Sequence, residues 1–99
     1  MGRDGMTRIG VLEVRLALHG VGSLKEKRGI IKSLLERTRN RFHVAVSEVG
    51  CQDVWGTAEL GMAAVSSDAV VLQALLEKVL RFIESEGRAV VVDYRVEIL

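Results

Sequence analysis

Apolar and polar residues alternate from Ile9 to His19, with Leu12, Val14, Leu16 and Leu18 on one face and Glu13, Arg15, Ala17 and His19 on the other. A period of two predicts a strand with one buried face. Gly20 and Gly22 end it, and the period then lengthens to that of a helix. With Ile31 at zero and about 100° per residue, Leu24, Ile31, Leu34, Leu35 and Thr38 fall within about 60° of one line. Ser23 and Glu26 stand at capping-box spacing, so this helix is expected to start at Ser23 and to end near Asn40. Alternation returns at Phe42, Val44 and Val46, and predicts a second strand that His43 opens on the polar side. Residues 50–56 read as a hairpin loop, and Thr57–Ser66 as a third strand with Ala58, Leu60, Met62 and Ala64 inward. Ser66, Ser67 and Asp68 are three candidate caps for a second helix, whose stripe is Leu72, Leu75, Leu76, Val79 and Ile83 and whose stop is Gly87. Ala89–Leu99 closes the chain as a strand with Val90, Val92, Tyr94, Val96 and Ile98 on one side.

The order β-α-β-β-α-β, with right-handed crossovers and a central hairpin, predicts an α+β ferredoxin-like sandwich: a four-stranded antiparallel sheet with two helices on one face. Each strand has a single apolar face, so the helices share one side of the sheet. The open side is then expected to carry Glu13, Arg15, His43, Glu59, Asp93, Arg95 and Glu97. Residues 1–8 read as a flexible leader and 9–99 as a single ferredoxin-like domain.

Composition narrows the setting. Ninety-nine residues suffice for one core, and 48% apolar content with only four aromatics implies an aliphatic interior. The lone cysteine, Cys51, excludes an internal disulfide and fits a reducing compartment. No apolar run reaches the roughly 20 residues of a membrane span, and no signal-peptide core opens the chain. A cytoplasmic protein with no membrane partner is expected.

Charge is the most informative property. The net charge is +1, yet residues 23–41 hold seven cations and two carboxylates, a surplus of +5, while residues 42–99 hold four cations and nine anions. Lys25, Arg28, Lys32 and Arg39 line one shoulder of the first helix, with Glu36 completing the row, and Arg37 and Arg41 line the other. Lys27 lies near the apolar stripe and is expected to snorkel outward. Such a helix on a mildly acidic body suggests an anionic partner or, more plainly, a helix kept soluble by charge.

The loop Gly20-Val21-Gly22-Ser23, leading into a helix start with Lys25 and Lys27, has the parts of an anion site: glycines that let amides converge, a helix N-terminus and nearby cations. It is equally an ordinary strand-to-helix turn. RNA recognition on this fold commonly stacks bases on sheet aromatics. Here Phe42 and Tyr94 are expected inward, so base stacking is not expected and phosphate contact by the helix remains, which reads no DNA sequence. Trp55, with Gln52 and Asp53 in the hairpin loop, either anchors a partner or folds back over the sheet edge. Cys51, His19 and His43 lack the spacing of a metal site or of a thiol–imidazole pair, and no cofactor is expected. Gly20-Val21-Gly22 resembles part of the acylphosphatase phosphate loop. Ser23-Leu24 stands where that loop has Phe-Arg, and the one asparagine, Asn40, ends the first helix.

Four blocks together, Ser23 to Arg28, Arg39 to Phe42, Glu48 to Trp55 and Ala58 to Gly61, resemble the bacterial YlxP-like family, and the resemblance extends over nearly all of residues 9–99. Cys51 departs from an expected histidine, and Gly56-Thr57 from bulkier polar residues. The family has no settled activity. The resemblance implies a small cytoplasmic ferredoxin-like protein whose genes lie among those for translation initiation and ribosome maturation, hence a role with RNA or the ribosome. The expectation that follows is a non-enzymatic module that meets structured RNA through Lys25, Lys27, Arg28, Lys32, Arg37, Arg39 and Arg41. The alternatives are a protein-interaction or homodimer module using the open sheet face or an edge strand, and an acyl-phosphate enzyme.

Overall fold

The structure is a computed structural model in which residues 6–99 are described. Of the expected leader, residues 1–5 lie outside the described residues; Met6 and Thr7 precede the first strand, and Arg8 already belongs to it. The elements are β1 (Arg8–Leu18), α1 (Leu24–Phe42), β2 (Ala45–Gly50), β3 (Thr57–Ser66), α2 (Ala69–Glu84) and β4 (Ala89–Ile98). The sheet order is β2-β3-β1-β4 with every neighbouring pair antiparallel, which is the expected ferredoxin-like α+β arrangement. Leu12, Val14 and Leu16 of β1 and Leu60 and Met62 of β3 face Ile31 and Leu34 of α1 and Leu76, Val79 and Ile83 of α2 in one buried cluster. α2 packs close over β1 at Gly10, where an added Cβ would meet Leu76 Cδ1 at 2.9 Å and Leu72 Cβ at 3.3 Å. A side chain there would require the Leu76 end to swing aside and would press on Leu72 Cβ.

Local chemistry sets the helix ends. Ser23 Oγ accepts the Glu26 N–H at 3.1 Å, so α1 starts where the capping spacing placed it. Its end lies beyond Asn40. Phe42 is still helical, and His43, expected on the open face of a strand, is instead a left-handed cap (φ 54°) whose N–H donates to Arg39 O at 2.8 Å. Phe42 stays helical because its ring packs edge-to-face on Phe82 of α2, centroids 5.5 Å apart. Of the three cap candidates for α2, Asp68 takes the position and accepts Val70 N–H at 2.8 Å. α2 stops at Ser85 in a right-handed conformation, so Gly87 is a turn residue and not the helix stop. Leu80 joins the buried stripe, while Leu75 is only partly buried.

β4 departs most from expectation. Arg15 pairs with Asp93 and Leu16 with Val91, which leaves Val92 as an extra residue, a bulge. The bulge reverses the phase: Ala89 and Val91 face the core in the first half, Val90 and Val92 are exposed, and Tyr94, expected inward, is 55% exposed on this edge strand. β2 carries the same device, with Val49 unpaired between the Glu48–Leu60 and Gly50–Glu59 pairs. Both bulged strands are sheet edges, and their backbone is partly occupied by side chains. Leu99 N–H donates to Ile9 O, so alternation aims the Tyr94 amide at the free edge, where Asp93 Oδ1 accepts it at 2.9 Å. On β2 the Glu48 carbonyl accepts from Ser47 Oγ at 3.2 Å and from Gln52 Nε2 at 3.3 Å. Bulges and self-capping blunt an edge against added strands.

Candidate nucleic-acid interface

The structure divides the cations of α1 into two groups. Lys27 was expected to reach solvent as a phosphate contact; it is instead 1% exposed and among the most deeply buried side chains. Its Nζ donates to the Cys51 carbonyl, lies 3.5 Å from Gln52 O and sits 3.2 Å from Glu48 Oε2. The reason is geometric. Lys27 projects from within the apolar stripe, and the β2–β3 loop lies over its tip with two carbonyls turned inward. Arg37 is held in a two-pronged pair with Glu86, Nη1 to Oε2 at 2.8 Å and Nη2 to Oε1 at 2.5 Å. The hydrogen bond from Arg37 keeps the Glu86 carboxyl below its ordinary value, against a smaller opposing effect of burial. Arg41 lies over the Phe42 and Phe82 rings, 5.6 and 5.3 Å from their centroids.

Lys25, Arg28, Lys32 and Arg39 differ. All four are exposed, and none forms a salt bridge among the described residues. Their spacing of three, four and seven puts them in one row along the helix. A groove of about 300 Å³ runs between this row and β2, lined by Arg28, Lys32 and Arg39 with Leu35, Glu36 and Glu48. A larger cleft of about 690 Å³ lies between α1 and the α2–β4 turn. Of the cations that line it, Arg37 and Arg88 are paired, with Glu86 and with Glu26, and Lys25 is not.

The glycine loop does not present a free anion cradle. Gly20 adopts φ +69°, a left-handed conformation that favours glycine. Arg88 donates to the carbonyls of His19 at 3.3 Å and Gly20 at 2.5 Å, while the Gly22 N–H donates to Glu26 Oε1 at 2.8 Å. The carboxylate of Glu26, itself 3.5 Å from Arg88 Nη2, therefore occupies the position where an outside anion would sit, and Ser23 is committed to capping.

On the open face, Arg15 donates to Glu59 Oε2 at 2.9 Å and Arg95 pairs with Glu13. Cys51 Sγ lies 3.4 Å from Glu59 Oε1, and partial burial followed by that carboxylate pushes the thiol's pKa up. A thiol held protonated is a poor nucleophile. His19 and His43 do not join Cys51, and the described residues contain no group of three potential metal ligands. Trp55 is 52% exposed in the hairpin loop beside an exposed Asp53. No described helix is long and apolar enough to cross a membrane.

Sequence reasoning missed Glu48, Glu86 and Arg88, the side chains that consume or flank the cations. For Glu48 a signal existed: it follows Val44 and Val46 in the inward phase of β2, facing a lysine within the apolar stripe.

Two solved structures share the fold at low identity. A de novo designed protein, Foldit4, superposes with a TM-score of 0.52 at 21% identity, covering 94% of this chain and 96% of that one. An EAL/GGDEF domain protein from M. capsulatus gives 0.53 at 16% identity, covering 97% of this chain and 64% of that one. The uncharacterized protein YlxP of Bacillus subtilis (strain 168) is 46% identical over 77 residues, which is 78% of this chain and 84% of YlxP. Residues 9–96 match the model described as "Protein of unknown function (DUF503)". The chain therefore belongs to the DUF503, YlxP-like family.

Proposed function

We propose that the chain is a non-enzymatic module that binds structured RNA, ribosomal RNA foremost, through the outward flank of α1. Lys25, Arg28, Lys32 and Arg39 are the phosphate contacts. One observation carries this reading: these four cations are exposed in a single row and lack carboxylate partners among the described residues, whereas Lys27 and Arg37 are held by carboxylates and Arg41 by aromatic rings. A row of unpaired charge costs self-repulsion that an anionic polymer would relieve. Lys27, Arg37 and Arg41 are not contacts in this account, and the Gly20–Ser23 loop serves the helix start. Its occupied amide also speaks for binding over acyl-phosphate chemistry. Filter binding of total RNA by the wild type and by the Lys25→Glu, Arg28→Glu, Lys32→Glu variant tests the proposal. Retention by the first and loss by a folded second supports it; equal retention removes it.

A second reading keeps the open sheet face as a protein contact. Ile9, Val49, Val65 and Val90 leave apolar surface exposed there, and Trp55 is half exposed in the nearby hairpin loop. The capped, bulged edges argue for the face over strand addition. Light scattering over a dilution series tests it, a salt-insensitive dimer being its expected result.

A further inference from the structure

The groove between α1 and β2 has a feature that phosphate binding alone does not require. Its rim holds three cations, Arg28, Lys32 and Arg39, and also two carboxylates, Glu36 on α1 and Glu48 on β2. The Glu48 side chain is 18% exposed and accepts no hydrogen bond from any described residue. Its Oε2 is buried, has no hydrogen-bond partner and faces the Lys27 ammonium at 3.2 Å, while Lys27 donates to the Cys51 carbonyl. With Oε2 buried against Lys27, the free acceptor at the edge of the groove is the other oxygen, Oε1, on a side chain that is 18% exposed, and there it would repel a ligand bearing only phosphate. A ligand that fits both features carries an anionic group and, a few ångströms away, a hydroxyl or amine donor.

We propose that this groove seats a ribonucleotide segment, with its phosphates on Arg28, Lys32 and Arg39 and a ribose 2′-hydroxyl donating to Glu48, so that the protein prefers RNA over DNA. The proposal rests on the RNA-binding reading above and adds sugar discrimination to it. The 2′-hydroxyl is the donor that distinguishes the two polymers, and a hydrogen bond to an ionised acceptor is stronger than one between neutral groups. Lys27 lies behind the carboxylate and offsets its charge beside the phosphates.

Fluorescence anisotropy with three probes of one sequence tests this: a short RNA hairpin, the same hairpin as DNA, and the RNA hairpin 2′-O-methylated throughout. The methylated probe keeps the A-form but has lost the donor. The expected result is binding of the RNA about tenfold tighter than of either other probe. Glu48→Gln should narrow that preference, checked on protein whose melting shows it folded. The probe comparison on wild-type protein stands even where this variant does not fold. Equal binding of the RNA and its methylated form would overturn the sugar contact and leave the RNA reading intact. No binding of any probe, or binding indifferent to the Lys25→Glu, Arg28→Glu, Lys32→Glu changes, would overturn both.

Discussion

The two flanks of α1 carry the same residue types and have opposite fates. On the flank toward α2 and the core, Lys27 is buried against Glu48 and two loop carbonyls, Arg37 is gripped by Glu86, and Arg41 lies on two phenylalanine rings. On the other flank Lys25, Arg28, Lys32 and Arg39 meet no carboxylate closely enough to pair among the described residues. The first set holds the domain together and the second is available to something outside it. A count of lysines and arginines does not separate these roles. What separates them is whether a neighbouring group closes on the cation: α2 and the β2–β3 loop do so on one side, whereas the carboxylates of the groove toward β2 form no salt bridge with the row among the described residues.

Breaking the outward set should have the largest effect. Charge reversal at Lys25, Arg28 and Lys32 is expected to weaken RNA binding more than roughly a hundredfold at moderate salt. Its melting temperature should change little, since reversal exchanges one row of exposed like charges for another. An unfolded variant would mean that the row is structural after all.

Next comes Lys27. Lys27→Met strands the Glu48 carboxylate, with one oxygen fully buried, and is expected to cost about 3 kcal/mol in urea unfolding. Adding Glu48→Leu should recover most of that loss, because removing both charges removes the desolvation cost that one alone leaves behind. Failure of the second change to rescue would show that the loop carbonyls, rather than the carboxylate, are what Lys27 is there for.

How far the chain announces this division is instructive. The strand of Leu12, Val14, Leu16 and Leu18, the Ser23 cap and the α2 stripe were legible because local period and capping chemistry decide them. The phase of β4 was not, because a bulge at Val92 follows from how strands pair and leaves no mark in the sequence alternation. Phe42 read as strand because it alternates with Val44, whereas its ring is claimed by Phe82 from forty residues away. In the candidate site, the row of four was legible from helical spacing alone. The engagement of Lys27, Arg37 and Glu26 was hidden because each partner, Glu48, Glu86 or the folded loop, arrives through tertiary structure.

The smallest effect belongs to Arg37. Arg37→Ala should cost below about 1 kcal/mol, since the pair is partly solvated, and should leave RNA binding within about twofold. The pair also has a pH signature. Because Arg37 lowers the pKa of Glu86 in the folded chain, its contribution is present above the ordinary carboxylate value of 4.5 and is lost as pH falls through the depressed value. Urea midpoints of the wild type and Glu86→Gln should therefore converge as the pH falls from 5 towards 3 (approximate range). A constant difference would mean that the pair does not act through its charge.

The division between flanks is tested most directly by the salt dependence of RNA binding. Four phosphate contacts predict a slope of log affinity against log salt of roughly −3, reduced by roughly 0.7 to 0.9 for each of Lys25→Gln, Arg28→Gln, Lys32→Gln and Arg39→Gln and unchanged by Arg37→Gln. A flat slope, or a slope that Arg37→Gln lowers as much as Arg28→Gln does, would contradict it.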